Sequence, residues 1–384
     1  MVELLFLRLY NDAYIFVNGT LSGRKRTIAR RGEHGMSGKV RAAIIGSTGY
    51  GGVELIRLLM QHPKAEITSV ISSSSAGAPI ADGYPHLQEI MTDQLDPVDI
   101  DLIRNKADVV FLATPHGVST ELTPKLLDAG LKVIDVSGDF RLKNPADYEK
   151  WYKHKPADPA YLKRAVYGLC EVFGEEVKGA DLISNPGCFP TATALGLVPL
   201  AAEGWIDTST IISDAKTGVS GAGRGLGLMY HYSEMNDNFF AYKVNRHQHT
   251  PEIEQTLSRV AGHDVTMTFT THLAPMTRGI LVTSYAKLTE TRTEEEVHAL
   301  FRSYYAGRPF VRIRPLGKYP ATKEVYGSNY CDIAVSVDPR TNRVTVFSVI
   351  DNLVKGAAGQ AIQNLNLAMG WDETEGLALT PIYP

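Results

Sequence analysis

The sequence predicts two domains: a doubly wound α/β domain first, then an α+β domain built on a large mixed sheet. Three observations carry this. An apolar strand, Val40–Ile45, runs into the glycine-rich turn G-S-T-G-Y-G-G and then into a helix with a broad apolar face. Further short apolar strands follow, each ending in a polar loop, as expected for a parallel sheet covered on both faces. Beyond Cys188 the strands lengthen and glycine-rich loops separate them. At 384 residues the chain is long for one core, which favours two. The expected boundaries are an extension at 1–37, a nucleotide-binding domain at 38–186 and a second domain at 187–353. Residues 354–384 would then return to complete the first domain.

Glycines 46, 49 and 52 fit the pattern G-x-x-G-x-x-G. They allow a tight turn and let a pyrophosphate approach the N-terminus of the next helix, where unpaired N–H groups favour an anion. Gly46, Ser47, Thr48, Gly49, Tyr50 and Gly52 are therefore expected to bind a dinucleotide. Val53, Leu55, Ile56, Leu58 and Leu59 supply the buried face of that helix. The second strand, 67–71, ends in Ser72, Ser73, Ser74 and Ser75. A carboxylate at this point would hold the free ribose 2′-hydroxyl of NAD. Serines offer hydroxyl donors and no charge to repel a 2′-phosphate, so NADP(H) is the expected cofactor. Two more apolar strands, 108–113 and 132–136, lead into T-P-H-G at 114–117 and S-G-D-F-R at 137–141. Ligands in open α/β sheets sit beyond the carboxyl ends of the strands, which places Thr114 and Pro115 beside the cofactor and turns Arg141 toward an anion. His116 is read as a packing or surface histidine with no role.

The reactive candidate is Cys188, in I-S-N-P-G-C-F-P at 183–190, just ahead of the small-residue run 191–197. If that run is helical, the helix dipole and free N–H groups would stabilise a thiolate at Cys188 and could hold an oxyanion. The alternative is an inert buried thiol. A proton partner is offered by His247 and His249, two apart in a loop before Pro251. No further ligands stand at metal spacing, so no metal site is expected. In the second domain, strands are expected at 210–215, 266–272, Ile280–Leu288 and 344–351, with helices at 251–261 and 294–306. Glycine-rich loops fall at 217–225 and 327–332, and a final helix at 357–369 is expected to pack on the first domain.

Composition narrows the classes. Hydrophobic residues make up 44% and charged residues 21%, as in an ordinary globular protein. A formal net charge of −3 gives no electrostatic case for nucleic acid or a membrane surface. No apolar run approaches the length of a bilayer span. Three widely spaced cysteines, Cys170, Cys188 and Cys331, argue against a disulfide framework and for a reducing, cytoplasmic setting. Residues 1–37 read differently from the rest: apolar residues 4–7 precede the basic residues Arg24, Lys25, Arg26, Arg30 and Arg31, the reverse of a signal peptide. Glu3, Asp12 and Glu33 count against a transit peptide. The segment is read as an upstream extension, with Met36 as an alternative start.

From residue 37 onward the chain resembles the N-acetyl-gamma-glutamyl-phosphate reductases. The resemblance rests on I-S-N-P-G-C-F-P-T-A-T-A-L-G-L-V-P at 183–199 and on G-S-T-G-Y-G-G at 46–52. It extends to D-F-R-L at 139–142, S-G-A-G-R at 220–224, R-H-Q-H-T-P-E-I at 246–253 and D-N-L-V-K-G-A-A-G-Q at 351–360. It implies an NADPH-linked oxidoreductase of arginine biosynthesis, with a Rossmann domain, a catalytic and dimerisation domain, and kinship to aspartate-semialdehyde dehydrogenases. Cys188 would be the nucleophile, with His249, or else His247, as acid/base. Arg141, Arg224 and Arg278 would face the phosphate and carboxylate of a small acyl phosphate, since the arginine fork suits both. Asn352 would meet the nicotinamide amide, and the enzyme would be a homodimer or homotetramer. Two rival readings share these motifs: a reductase of a carrier-protein-linked aminoadipyl or glutamyl phosphate in lysine biosynthesis, and a catalytically silent NADP-binding protein.

Overall fold

Two sheets organise the protein. The first is wholly parallel and contains β1 (Val40–Ile45), β2 (Ala65–Ile71), β3 (Val109–Leu112), β4 (Lys132–Asp135), β5 (Val166–Tyr167) and β6 (Leu182–Ser184), in the order β2-β1-β3-β4-β6-β5. The chain leaves β1 toward β2 on one side and returns to β3 on the other, so a crevice opens at the carboxyl end of β1. The computed structural model describes residues 38–384; the expected extension at 1–37 and the alternative start at Met36 lie outside the described residues.

The second sheet has seven strands: β7 (Ile206–Gly218), β8 (Phe240–Tyr242), β9 (Thr268–Ala274), β10 (Ile280–Leu288), β11 (Val311–Ile313), β12 (Cys331–Asp338) and β13 (Arg343–Ile350). Their order is β11-β12-β13-β10-β7-β9-β8, with parallel pairs β11–β12 and β7–β9 and antiparallel pairs elsewhere, so the sheet is mixed as expected. β7 runs longer than the expected 210–215, because it continues at its two ends through polar residues such as Asp207, Ser209 and Lys216, which hide the strand signal.

The helix Cys188–Ala202 lies between this sheet and the helices Thr250–Ala261 and Glu294–Tyr304, and nearly every one of its residues is buried. It has no polar face because no side of it meets water. At Gly196 a Cβ would already touch Ser348 and Val346 of β13, so the small residues of this helix serve close packing. The final helix, Gly359–Ala368, packs against Tyr50–Leu59 and Cys170–Val177 of the first half, as anticipated. It is preceded by a π-helical turn, Val354–Ala358, whose last two residues fall within the helix expected at 357–369.

Candidate active site

The glycine-rich turn has the shape a dinucleotide needs. Gly46 takes φ of 85°, and a Cβ there would stand 2.3 Å from the Ala113 carbonyl oxygen of the neighbouring strand end. A Cβ on Gly52 would stand 2.3 Å from the Gly46 carbonyl oxygen. Both glycines are needed to bring the start of helix Tyr50–Leu59 down onto the sheet. Ser47 donates to the Ile71 carbonyl at 3.0 Å, joining the turn to the end of β2 where Ser72–Ser75 begin. Thr114 pairs with Ser119 at 3.1 Å and Pro115 precedes the tight Gly117 turn, so both stay at the carboxyl edge of the sheet.

Cys188 is the first residue of its helix, after Gly187 in an extended conformation. Two side chains anchor the residues that lead into it. Glu252 accepts the Gly187 N–H at 2.8 Å and the Tyr167 hydroxyl at 2.8 Å through the same oxygen. Arg141 donates through Nε to the Asn185 carbonyl at 2.8 Å and through Nη2 to Val136 at 2.9 Å. Its Nη1 lies 3.3 Å from Glu252 and 3.4 Å from His249 Nε2. A Cβ on Gly187 would stand 2.6 Å from His249 Nε2 and 2.8 Å from Arg141 Nη1, so only glycine admits both groups to the peptide before Cys188.

The two histidines are not equivalent. His247 Nδ1 accepts the His249 backbone N–H at 3.1 Å, and its ring is enclosed by Phe189, Tyr242 and Phe269. His249 turns Nε2 toward Arg141 and leaves its buried Nδ1 without a partner. With Arg141 donating, Nε2 is the acceptor and Nδ1 carries the proton. Burial, reinforced by His247 and Arg141, pushes His249 well below its ordinary pKa, and burial takes His247 down to about 3. Both rings are neutral near pH 7.

The electrostatics of Cys188 correct the expectation of a resting thiolate. Burial pushes its thiol up to about 11; Arg141 and the Phe189 and Cys188 backbone N–H groups pull the other way and do not prevail. The helix end stabilises charge as expected, but removing the thiol from water costs more. Cys188 nevertheless reaches the surface in part, whereas Cys170 and Cys331 are buried.

The remaining candidates lie elsewhere. Arg224 stacks over Tyr84 at 4.3 Å and donates to the Thr48 carbonyl at 3.3 Å and the Gly83 carbonyl at 2.9 Å, facing the glycine-rich turn. Arg278 is bound by both oxygens of Glu54 at 3.0 and 2.9 Å, with Asp351 at 3.6 Å. Asn352 accepts the Gly279 N–H at 2.8 Å and donates to Ser220 at 2.9 Å. A cavity of about 950 Å³ has Tyr50, Ser220, Arg224, Arg278 and Leu353 in its wall. Sequence reasoning missed Glu252, Tyr167 and Asn185. Glu252 and Asn185 stand inside quoted motifs, and a carboxylate in a first helical turn beside Pro251 is a readable signal; Tyr167 offered none. Among the described residues no cluster of metal-binding side chains occurs, and no helix is long and apolar enough to cross a membrane.

Comparison with known proteins agrees with this architecture. Residues 41–180 match the semialdehyde dehydrogenase NAD-binding domain and residues 188–352 the semialdehyde dehydrogenase dimerisation domain. The chain is 56% identical over 345 residues to the N-acetyl-gamma-glutamyl-phosphate reductases of Bacillus subtilis (strain 168) and Brevibacillus brevis, covering 90% of this chain and all of each relative. Among solved structures it is similar to aspartate semialdehyde dehydrogenase II from Vibrio cholerae, with a TM-score of 0.67, 17% identity and coverage of 86% of this chain and 98% of the other. The aspartate semialdehyde dehydrogenase with NADP from Candida albicans gives 0.65 and 18%, with the same coverages. At those identities the likeness is one of fold.

Proposed function

The chain belongs to the N-acetyl-gamma-glutamyl-phosphate reductase family, and from that premise we propose that it reduces N-acetyl-L-glutamyl 5-phosphate to the 5-semialdehyde in arginine biosynthesis. The observation that carries this reading is the assembly of Arg141, Glu252 and His249 around residues 185–187, which lead directly into a helix-starting cysteine.

Cys188 is the nucleophile. Because its thiol rests protonated, it must lose the proton as it attacks. His249, neutral and with Nε2 beside the Gly187 peptide, is the acceptor for that proton. Attack on the acyl carbon expels phosphate and leaves a thioester on Cys188. Arg141, charged and buried at the same peptide, stabilises the anionic end of the substrate and the departing phosphate. The free N–H groups that start the helix suit the oxygen of the tetrahedral species. A bound nicotinamide cofactor would supply the hydride that reduces the thioester. His249 then returns its proton to Sγ as the aldehyde departs.

For the cofactor we favour NADP(H). Gly46, Ser47, Thr48, Gly49, Tyr50 and Gly52 would hold the pyrophosphate, Ser72, Ser73 and Ser74 the ribose phosphate, and Thr114, Pro115 and Asn352 the nicotinamide end. Arg224 is better placed to serve the nucleotide than the acyl phosphate, given its bonds to Thr48 and Gly83. The working division we adopt is a nucleotide domain at 38–186, completed by 354–384, and a catalytic and dimerisation domain at 187–353. A homodimer or homotetramer in the cytoplasm fits the dimerisation-domain match and three free thiols.

The test is phosphate-dependent reduction of NADP with N-acetylglutamate semialdehyde, compared with aspartate semialdehyde and with NAD, in wild type and Cys188→Ser. Turnover of the first substrate, lost in Cys188→Ser, is the expected result. Activity surviving in Cys188→Ser defeats the mechanism, and turnover of aspartate semialdehyde alone defeats the substrate.

A further inference from the structure

One face of Cys188 rests on a turn that the reaction above does not use. In Val354–Ala358 the Gly356 N–H donates to the Asp351 carbonyl at 2.9 Å and the Ala358 N–H to Leu353 at 2.9 Å, the i to i−5 pattern of a π-turn. Such turns carry an extra residue in the helix and occur often at functional sites. Here that distortion delivers Gly356 to the nucleophile: a Cβ on Gly356 would stand 2.7 Å from the Cys188 Cβ.

The residues on either side of Gly356 are held from opposite directions. Lys355 is fully buried, with Nζ 2.5 Å from Glu171 Oε1 and 2.7 Å from Gln363 Oε1. Gln363 donates to the same Glu171 oxygen at 3.0 Å, and Asn329 donates to Gln363 at 3.0 Å. Burial alone would raise the Glu171 carboxyl, but Lys355 beside it holds it below its ordinary range. On the other side, the Ala357 carbonyl accepts Asn185 Nδ2 at 3.1 Å, and the Asn185 backbone carbonyl is the one that Arg141 grips. Three consecutive residues thus reach a buried ion pair, the nucleophile and the residue that positions Arg141. A buried ion pair is seldom more stable than a well-packed apolar pair of equal volume. Its value here is geometric: an ammonium with fixed partners allows one placement of the turn.

We propose that Lys355 is a positioning residue for the nucleophile: its pair with Glu171 fixes the π-turn so that Gly356 forms the floor on which the Cys188 thiol is set. This rests on the reading of Cys188 as nucleophile but not on the identity of the substrate. Lys355→Met alone strands a buried carboxylate and is unsuited as a sole test, because an unpaired buried charge by itself destabilises the fold. The informative variants are the double change Lys355→Met with Glu171→Leu, which removes both charges, and Gly356→Ala, which changes the floor directly. Three quantities are read on the full chain: the melting temperature, kcat and KM, and the rate of Cys188 alkylation by iodoacetamide across pH without substrate or nucleotide, with Cys188→Ser as blank.

The expected result is a double variant that melts near wild type yet loses at least tenfold in kcat, with KM within threefold and a severalfold altered alkylation rate. Gly356→Ala should show the same pattern. A double variant with wild-type kcat and alkylation profile overturns the proposal, since the pair would then be structural only. If the double variant does not fold, Gly356→Ala decides: wild-type alkylation and kcat there overturn it equally. Because alkylation needs no turnover, a wrong substrate assignment would silence the kinetic arm while leaving this one readable.

Discussion

Arg141 and Arg278 are both arginines held by buried carboxylates, yet they are held in different ways. Arg278 faces Glu54 through two parallel bonds and Asp351 at 3.6 Å, so two carboxylates meet one guanidinium, with Arg57 sharing Glu54 at 2.6 Å. Four charges balance there, and they join the helix Tyr50–Leu59 to the connection between β9 and β10. Arg141 has a single carboxylate contact at 3.3 Å; its closer bonds go to the neutral carbonyls of Asn185 and Val136. Glu252 divides its charge among Arg141, the Gly187 N–H and Tyr167. The difference teaches that an arginine can receive an anion when its positioning comes from carbonyls rather than from its full complement of counter-charges.

The largest test of that contrast is Arg278→Met. It should leave Glu54 and Asp351 without their main partner and lower stability by about 3–5 kcal/mol, seen as a fall of at least about 5 °C in melting temperature, while KM for the acyl phosphate moves less than threefold. Arg141→Met should do the reverse: kcat/KM falls by about a hundredfold, equivalent to about 2.7 kcal/mol, with a smaller change in melting temperature. Cys188 alkylation at fixed pH should also slow in that variant, because Arg141 pulls the thiol pKa down. A catalytic defect in Arg278→Met without loss of stability would break the comparison.

A third effect is smaller and concerns pH. His247 and His249 have folded pKa values below the unfolded value of about 6.5. Below that pH the unfolded chain binds protons that the folded protein does not, so stability falls as pH falls, by about 1.4 kcal/mol per pH unit for each such site. Denaturant titrations between pH 7 and 5 should show this slope, and it should be shallower in Arg141→Met, where His249 loses a repelling neighbour. The smallest effect is expected from Arg57→Ala: that arginine is partly exposed, so its loss should cost under about 1 kcal/mol, which a urea melt can measure. A larger loss would mean that Arg57, not Arg278, neutralises Glu54.

Much of the fold could be read from local pattern. Val40–Ile45 and Ile280–Leu288 have the bounds expected of them, because their apolar residues are dense enough to report burial despite single polar interruptions. The helix Cys188–Ala202 was legible only as a small-residue run, since a helix buried on all sides carries no amphipathic period. The candidate site was legible at Cys188 and at the histidine pair. Arg141 stood apart from Arg224 and Arg278 only once their partners were known. Lys355 stood only inside the motif quoted at 351–360, and nothing in its neighbours signals that it is fully buried.

By itself the sequence determined the strand–turn–helix that receives a dinucleotide, the cysteine after Pro-Gly and the two-sheet plan, because each depends on residues adjacent in the chain. Backbone sterics at Gly46 and Gly52, apolar runs and helix starts are local physics. Tertiary structure alone decided which histidine lies beside the Gly187 peptide, which arginine is positioned mainly by carbonyls and whether the thiol rests protonated. These depend on desolvation and on partners more than a hundred residues away, such as Arg141 with Glu252 and Lys355 with Glu171. Charge in a low-dielectric interior is set by those partners, and no local pattern encodes them.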